Sequence, residues 1–266
     1  MPCKVIFLGP GCGHVAYQLG FMGGLLDDNV VRKSVLRTGA CFGGVSSGAL
    51  AAAYAMATAH GVGTMRDWYK WTIRKGYEAI ARSSTMVMGG MLEWAGHLYH
   101  ETCAAATDGS PPWLRNYVCA ASSVLSLRPC FYCSYETADD FAKKSLASSY
   151  VPLMMGFRPW QVVQGRRVID GYAAMWRMEY PDDNYMLVTF LPTLPASLRC
   201  RTKHHLQVDQ FDTSPGSLLV KCWPWGDPEW ADAAFDRGWA DALRNREALR
   251  AKLLAFLEDG AHKRVA

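Results

Sequence analysis

Hydrophobic positions along the chain follow two alternating patterns. Short uninterrupted apolar runs, several of them ending near glycine, alternate with longer segments whose apolar residues recur three and four positions apart. The first pattern predicts buried strands and the second predicts helices. Strands are predicted near residues 3–8, 36–42, 117–121, 130–134, 168–169 and 186–190, and helices at 14–26, 47–59 and 137–146. This alternation favours an α/β fold, here a three-layer α/β/α arrangement with a mostly parallel sheet covered on both faces.

Two features lie outside this alternation. Residues 89–112 mix apolar and aromatic residues with a polar turn, which we interpret as a lid or cap. After a proline-rich, poorly periodic region at 192–228, an apolar stripe recurs at helical spacing from 228 to 257. Because basic residues occupy the opposite face of this stripe, we predict a helix there.

The composition indicates a globular protein. Of the 266 residues, half are apolar and a fifth are charged, which excludes disorder as the dominant state. We expect a single domain over 1–266, with a core at about 3–192 and a C-terminal extension over 193–266 that ends in a helix. The net charge of +4 is mild for this length and does not indicate nucleic acid as a partner.

Two long stretches, 5–26 and 38–65, contain no charged residue. Each is long enough to cross a membrane, but glycines and a histidine interrupt both, so we predict that neither spans one. The first apolar run is also too short, and its flank too weakly basic, for a signal peptide. We therefore expect a cytoplasmic protein.

The nine cysteines fit the same compartment. Their number is odd and most lie inside apolar runs, which favours reduced, buried thiols over a disulfide framework. Cys130 and Cys133 lie in a predicted strand, where residues three apart face opposite sides. A second ligand pair from Cys200 and His204 would not have typical zinc spacing. We therefore expect no metal ion and no cofactor.

Residues 44–48 form the most specific motif, G-x-S-x-G, with Ser46 between Gly44 and Gly48. The motif follows a predicted strand and opens a predicted helix, which is the setting of a nucleophile elbow. The helix dipole at that point favours a developing anion. The structural alternative is a small-residue turn that packs the helix tightly onto the sheet and buries an inert Ser46 hydroxyl.

Two further elements follow predicted strands. The glycine-rich loop at 9–14 matches neither a dinucleotide fingerprint nor a P-loop, but its backbone amides could surround an oxyanion. The second element is Asp170, which precedes Gly171 at the end of the strand at 168–169. Taken alone, Asp-Gly is a common turn, so a structural role is the default interpretation.

In this order, the loop, the elbow and the Asp-Gly pair resemble the patatin-like phospholipases, and the loop is most similar to the animal lipid-droplet branch of that family. Members share a glycine-rich oxyanion loop, a G-x-S-x-G elbow and an Asp-Gly pair that carries the catalytic base. The segments that carry the resemblance are 11–20, 44–50, 147–152, 165–171 and 235–243. Three features depart from the family pattern: His14 stands where many relatives have Arg or Lys, the spacing from the loop to Tyr17 is one residue shorter than in the animal branch, and Tyr172 stands where most have a second Gly.

The resemblance implies a Ser-Asp dyad in place of a triad. Ser46 would attack an ester carbonyl, and Asp170 would take its proton and later activate water. The backbone amides of Gly11, Cys12 and Gly13 would hold the oxyanion. The implied activity is that of a lipid acyl hydrolase, of the phospholipase or triacylglycerol lipase type, with an acyl-enzyme intermediate. The implied partners are a lipid ester substrate and, peripherally, a membrane or lipid-droplet surface.

Three alternatives stay open at this point. One is a catalytically weak lipid-binding or regulatory protein of the same fold, and a second is an acyltransferase that passes the acyl group from Ser46 to an alcohol. The third is a triad that uses one of the histidines His14, His60, His97, His100, His204 and His205. An apolar acyl pocket competes with ordinary core packing as the role of Trp68, Trp71, Trp94, Trp113, Met86, Met88 and Met91.

Overall fold

One mixed sheet organises the chain. The computed structural model describes residues 3–11, 14–82, 91–104, 111–153, 155–178, 184–190, 204–208 and 228–259. The sheet formed by this part of the chain contains β1 (Val5–Leu8), β2 (Cys41–Gly44), β3 (Tyr117–Ser123), β4 (Pro129–Tyr132), β5 (Gln161–Val163), β6 (Arg166–Ile169), β7 (Tyr185–Thr189) and β8 (His204–Gln207).

Parallel pairing dominates the centre of this sheet. Strand β1 lies between β2 and β7, and the parallel set continues from β2 to β3 and from β7 to β8. Antiparallel pairs join β4 and β6 to β3, and β5 to β6. The predicted α/β fold with a mostly parallel sheet is confirmed at this level.

The two sides of β3 carry different neighbours, and this arrangement positions the candidate site. Both Cys119 and Ser122 of β3 pair with β4 on one side. On the other side, Cys119 pairs with Gly44 at the end of β2, and Ser122 pairs with Ile169 at the end of β6. Strands β2 and β6 therefore occupy successive parts of the same edge of β3, and the end of β6 lies just beyond the end of β2.

The buried apolar residues of the described α-helices belong to one large core. These helices are α1 (Val15–Leu26), α2 (Asn29–Thr38), α3 (Ser47–Ala59), α4 (Met65–Arg82), α5 (Met91–Ala104), α6 (Ala138–Ser148), α7 (Pro228–Arg244) and α8 (Arg246–Glu258), with 3₁₀ helices at Pro112–Asn116 and Gly171–Arg177. Helix α3 has the predicted bounds. No helix in the described part of the chain is both long and apolar enough to cross a membrane.

The predicted strand at 36–42 begins too early. Its first residues belong to α2, which starts at the Asp28 cap, whose carboxylate accepts a hydrogen bond from the Val30 amide. The helix ends at Gly39 in the left-handed conformation, with φ of 63°. Val31 and Val35, one helical turn apart, are buried. Local capping thus overrides the apolar run, and the strand starts only at Cys41.

Two other predicted segments also differ from the structure. The segment interpreted as a lid or cap, 89–112, contains α5, whose Leu98 and Tyr99 are buried in the main core. The described part of this segment is therefore a core helix. The single helix predicted over 228–257 is two helices, α7 and α8, with Asn245 between them.

Buried residues cover both faces of the sheet. On one face, Ile6 and Leu8 join a large core with residues of α1, α3 and α7. On the other face, Val5 and Phe7 form a smaller cluster with methionines near the 3₁₀ helix at Gly171–Arg177. Strand alternation thus separates two cores, and the 3₁₀ helix that follows Asp170 packs against the smaller one.

The C-terminal helix α7 lies against α1 at very close range. A Cβ atom at Gly20 would collide with the backbone carbonyl of Phe235, and one at Gly238 would collide with the carbonyl of Tyr17. The Tyr17 hydroxyl donates a hydrogen bond to Asp241 at 3.0 Å. The described helical part of the predicted C-terminal extension therefore packs into the main core.

Candidate active site

The predicted nucleophile elbow has the backbone of a strained turn. Ser46 lies between β2 and α3, with φ of 56° and ψ of −134°. This is a conformation that residues with side chains rarely adopt. A strained strand-to-helix turn of this kind presents a serine hydroxyl at the edge of a sheet. The Ser46 residue is half-buried, so the site is enclosed but reachable.

The two glycines of the motif are required by close packing. A Cβ atom at Gly44 would collide with the backbone of Gly48. A Cβ atom at Gly48 would collide with the carbonyl oxygens of Leu8 and Gly9 at the end of β1. Both glycines therefore let the start of α3 approach the ends of β1 and β2.

Asp170 reaches the same place from the end of β6. Its backbone amide donates a hydrogen bond to the Tyr150 carbonyl at 2.8 Å, and its carbonyl accepts one from the Ser122 hydroxyl at 2.6 Å. A Cβ atom at Gly171 would collide with the Ala120 carbonyl and would lie 2.6 Å from a methyl carbon of Val45, the neighbour of Ser46. The Asp-Gly pair is therefore packed directly against the elbow.

The Asp170 carboxyl group has an unusual environment. It is 7% exposed, and its Oδ1 accepts a hydrogen bond from the Tyr172 amide at 2.7 Å. The Oδ2 atom is buried without a partner of standard hydrogen-bond geometry in the described structure. Burial raises the pKa of Asp170 to about 6, while the Tyr172 amide and the nearby Ser46 hydroxyl lower it. Catalytic hydrogen bonds are often long in an unliganded site, which fits a loose Ser46–Asp170 contact.

The last residue of α6 and the two residues after it hold Ser46 and Asp170 in place. Ser148 accepts the Ser46 amide hydrogen bond through its carbonyl at 3.0 Å. The Ser149 hydroxyl donates to the Ser46 carbonyl at 2.9 Å and lies 3.1 Å from the Tyr99 hydroxyl. Since Tyr150 accepts the amide hydrogen bond of Asp170, three consecutive residues fix the two backbones relative to each other. In the sequence this segment is part of the family resemblance, but nothing in its residues predicts these contacts.

The glycine-rich loop is only partly described. Its Gly11 amide donates a hydrogen bond to the Ser47 hydroxyl at 2.8 Å, so this predicted oxyanion donor already has an acceptor within the chain. The buried Gln18 side chain supports the loop by donating to the Gly9 carbonyl at 3.0 Å. Cys12 and Gly13, the other predicted donors, lie outside the described residues.

Ser47 is a site residue that the sequence analysis missed. It is the first residue of α3, where a backbone amide has no acceptor within the helix. Its position directly after Ser46 is the signal that could have found it, because hydrolase elbows use the amide at that position for oxyanion binding. The Ser47 hydroxyl also joins the elbow to the loop through Gly11.

Two of the candidate histidines, His100 and His205, contact other polar groups. The Nε2 atom of His205 lies 2.8 Å from the Thr189 hydroxyl, and that of His100 lies 3.3 Å from an oxygen of Asp139. None of the groups that shift the pKa of Asp170 is a histidine. The described contacts therefore give the triad alternative no support.

The predicted pocket residues contribute to the core where they are described. Trp68, Trp94 and Trp113 are buried, and Trp71 is half-buried against the same core. The side chains of Met86, Met88 and Met91 lie outside the described part. Of the cysteine pair, Cys130 is buried and Cys133 exposed, and the described residues contain no group of three or more potential metal ligands.

Comparison with known proteins adds no relative to this picture. No protein-family model matches the chain, and no curated protein matches it in sequence. The resemblance to patatin-like phospholipases thus rests on the motifs and their order, and it stays a prediction.

Proposed function

We propose that the chain is a lipid acyl hydrolase with a three-layer patatin-like fold, in which Ser46 is the nucleophile and Asp170 the general base. One observation supports this most: a buried carboxyl group with a pKa of about 6 lies against a serine in a strained strand-to-helix turn. Strain and an unsatisfied buried acid are both unfavourable for folding alone, and such groups concentrate at functional sites.

The chemistry proceeds in two halves. Asp170 accepts the Ser46 proton while the serine oxygen bonds to the ester carbonyl carbon. The tetrahedral intermediate then collapses, and the alcohol leaves with the proton from Asp170. In the second half, Asp170 accepts a proton from water, whose oxygen attacks the acyl carbon. The fatty acid departs as Ser46 recovers its proton.

Burial makes the aspartate a better base than a free one. A carboxyl group with a pKa of about 6 is mainly ionised at neutral pH, so it can accept a proton. Its affinity for that proton exceeds that of an ordinary aspartate, whose pKa is about 3.9. Direct contact with Ser46 then takes the place of an intervening histidine.

Oxyanion stabilisation would come from the junction of the loop and α3. The amide of Ser47 and the positive end of the α3 dipole both favour a negative oxygen near Ser46. The Gly11 amide becomes available once its hydrogen bond to the Ser47 hydroxyl is exchanged for one to the substrate.

Two substitutions test the dyad. We expect Ser46→Ala and Asp170→Asn each to lower hydrolysis of a p-nitrophenyl fatty-acid ester by about 10³-fold or more. Ser46→Ala should also abolish labelling by a fluorophosphonate probe. Matched controls are Ser126→Ala and Asp139→Asn, which alter exposed residues and should retain both signals. Turnover by either dyad variant above a tenth of the parent rate would contradict the proposal.

One observation favours a second candidate, the catalytically weak lipid-binding protein. The Gly11 amide is occupied by the Ser47 hydroxyl, so the loop closes on the elbow and one oxyanion donor is blocked. If this closed state persists with substrate, the parent protein will bind fatty-acid esters without hydrolysing them. Fluorophosphonate labelling separates the two candidates, because it needs an activated Ser46.

An added alcohol acceptor with product analysis separates hydrolase from acyltransferase.

A further inference from the structure

Exposed apolar side chains and arginines gather on segments that adjoin Asp170. These segments are the turn at 124–128 between β3 and β4, the loop at 151–160, and the hairpin of β5 and β6 with the residues that follow it. The most exposed apolar members are Leu125, Leu153, Phe157 and Val162, with exposed fractions of 88%, 66%, 77% and 50%. Exposed arginines of these segments include Arg128, Arg158, Arg167 and Arg177. We call these eight residues the cationic–apolar surface.

Hydrogen bonds join the turn to the hairpin and to the 3₁₀ helix. The Val124 amide donates to the Arg167 carbonyl at 3.0 Å, and the Arg177 guanidinium donates to the Ser126 carbonyl at 2.9 Å. Val162 pairs directly opposite Arg167 across the hairpin, so the two side chains share one face. The turn, the hairpin and the 3₁₀ helix therefore form a continuous part of the molecular surface.

The loop at 151–160 connects this surface to the catalytic candidates. Tyr150, which precedes the loop, is buried and donates its hydroxyl hydrogen bond to the Arg158 carbonyl at 2.6 Å. The Tyr150 carbonyl accepts the amide hydrogen bond of Asp170. One buried residue thus fixes both the loop that carries Phe157, through its hydroxyl, and the backbone of Asp170, through its carbonyl.

The charge of this surface is unbalanced. None of its four arginines forms an ion pair with a described residue. Within 124–128 and the described part of 151–178, Asp170 is the only carboxylate, and it is buried. Arginines elsewhere in the described structure commonly face carboxylates, as Arg37 faces Glu258. The difference indicates that the cationic–apolar surface is complementary to an anionic partner.

Two leucines of this region have backbone conformations that bulky residues rarely adopt. Leu127 and Leu153 are left-handed, with φ of 49° and 67°, and both side chains are exposed. The turn at Leu153 is closed by its amide, which donates to the Gly156 carbonyl at 3.0 Å. These turns hold apolar side chains toward solvent against the preference of the backbone.

We propose that the cationic–apolar surface docks the protein on an anionic phospholipid bilayer. The arginines would lie at the level of the lipid phosphates, and the exposed Leu and Phe side chains would enter the boundary with the acyl chains. Docking in this orientation would bring the lipid to the elbow. The inference rests on the proposed function, in which Ser46 acts on lipid esters. A nucleic-acid partner would use the arginines but would leave the exposed Leu125 and Leu153 without a role.

Vesicle co-sedimentation tests the docking separately from catalysis. The parent for this experiment carries Ser46→Ala, so that no lipid is consumed, and vesicles are pure phosphatidylcholine or contain phosphatidylserine as well. We expect binding to the anionic vesicles to exceed binding to the neutral ones by at least tenfold. Because each basic residue near the membrane contributes about a fivefold factor, Arg128→Glu with Arg167→Glu should weaken binding more than 100-fold. The control pair Lys33→Glu with Lys252→Glu makes the same charge change on α2 and α8 and should weaken it far less.

The apolar members have their own variant pair. Phe157→Ser with Leu125→Ser should weaken binding to anionic vesicles at least tenfold, whereas Val30→Ser with Leu36→Ser, exposed on α2, should leave it unchanged. Equal binding to both vesicle types, or parental binding by the Arg128 and Arg167 variant, would overturn the proposal. Parental binding of the Phe157 and Leu125 variant to anionic vesicles would also overturn it. So would binding of the parent to single-stranded DNA with the same affinity as to anionic vesicles. Hydrolysis of a water-soluble ester by protein with Ser46 intact reports on the proposed function alone, so the two failures are distinguishable.

Discussion

Two regions of the molecule are built from glycines at very close range, and they differ in what the close approach achieves. At the α1–α7 interface, Gly20 and Gly238 let two helix backbones touch. At the elbow, Gly44 and Gly48 let the start of α3 touch the ends of two strands. Packing accounts for the glycines in both places. Glycine content therefore does not distinguish a functional turn from a structural one.

The polar groups beside these glycines make the distinction. At the helix interface, Asp241 is buried but accepts hydrogen bonds from the Tyr17 hydroxyl and the Arg244 guanidinium. At the elbow, Asp170 is equally buried, has one oxygen without a standard partner, and lies against the strained Ser46. A satisfied buried acid stabilises a fold, whereas an unsatisfied one beside a nucleophile is useful mainly for chemistry.

The sharpest test of this contrast substitutes one glycine in each region. Gly48→Ala pushes the elbow away from β1, and since a displacement of about 1 Å costs roughly 10²-fold in rate, we expect at least that loss of ester hydrolysis. Gly20→Ala should instead separate α1 from α7 and lower the free energy of unfolding by about 3 kcal/mol. Its activity per folded molecule should stay within about twofold of the parent. Thermal melts and activity normalised to the folded fraction are the measurements, and the contrast fails if both variants lose the same property.

The two buried aspartates should respond differently to substitution by asparagine. The folded pKa of Asp170 is raised from 3.8 to about 6, so its protonated form favours folding and stability falls as pH rises through this window. Two pKa units correspond to about 3 kcal/mol, which Asp170→Asn should recover in part at pH 7 and above. Asp241→Asn should lower stability by about 1 kcal/mol, since it weakens paired hydrogen bonds. Urea unfolding of both variants between pH 4 and pH 8 gives the answer, and a destabilised Asp170→Asn at pH 8 would contradict our interpretation.

A smaller effect is expected from the segment that joins the two backbones. Ser149→Ala removes the hydrogen bond to the Ser46 carbonyl, and we expect about a tenfold loss of kcat with little change in KM, because the turn loses a restraint. Ser149→Thr keeps the hydroxyl and should restore most of the rate. Tyr99→Phe, which removes the partner behind Ser149, should lower the rate less. An Ala variant with parental kcat would show that Ser149 has no positioning role.

The parts of the fold that could be predicted are those whose signal is local. Residues 47–59 form the predicted helix because the segment is rich in alanine, the strongest helix former, and the elbow starts it. Ser46, Gly44 and Gly48 were found because the elbow is contiguous in sequence. Short apolar runs predicted the central strands for the same reason. The observed ends of strands such as β3 and β4 differ from the predicted ends by one to two residues.

The parts that could not be predicted depend on contacts between distant residues. The exception is 36–38, where Asp28 and Gly39 are local signals of a helix that the apolar run outweighed in the prediction. The interpretation of 89–112 as a lid does not hold for α5, because the burial of this helix against the core depends on tertiary packing. The contacts of Ser149 with Ser46, 103 positions apart, lie beyond any sequence pattern.

The shared edge of β3 has a consequence for how such a site can vary. The last residue of β2 pairs with Cys119, and the last residue of β6 pairs with Ser122. The distance between the elbow and Asp170 is therefore set by the rise per residue of a single strand, β3. The chain between the elbow and Asp170 can be lengthened, replaced or given new surface residues without changing this distance, provided that β2 and β6 still pair with β3. Substrate preference can therefore diverge in the intervening chain while the reacting groups remain in register.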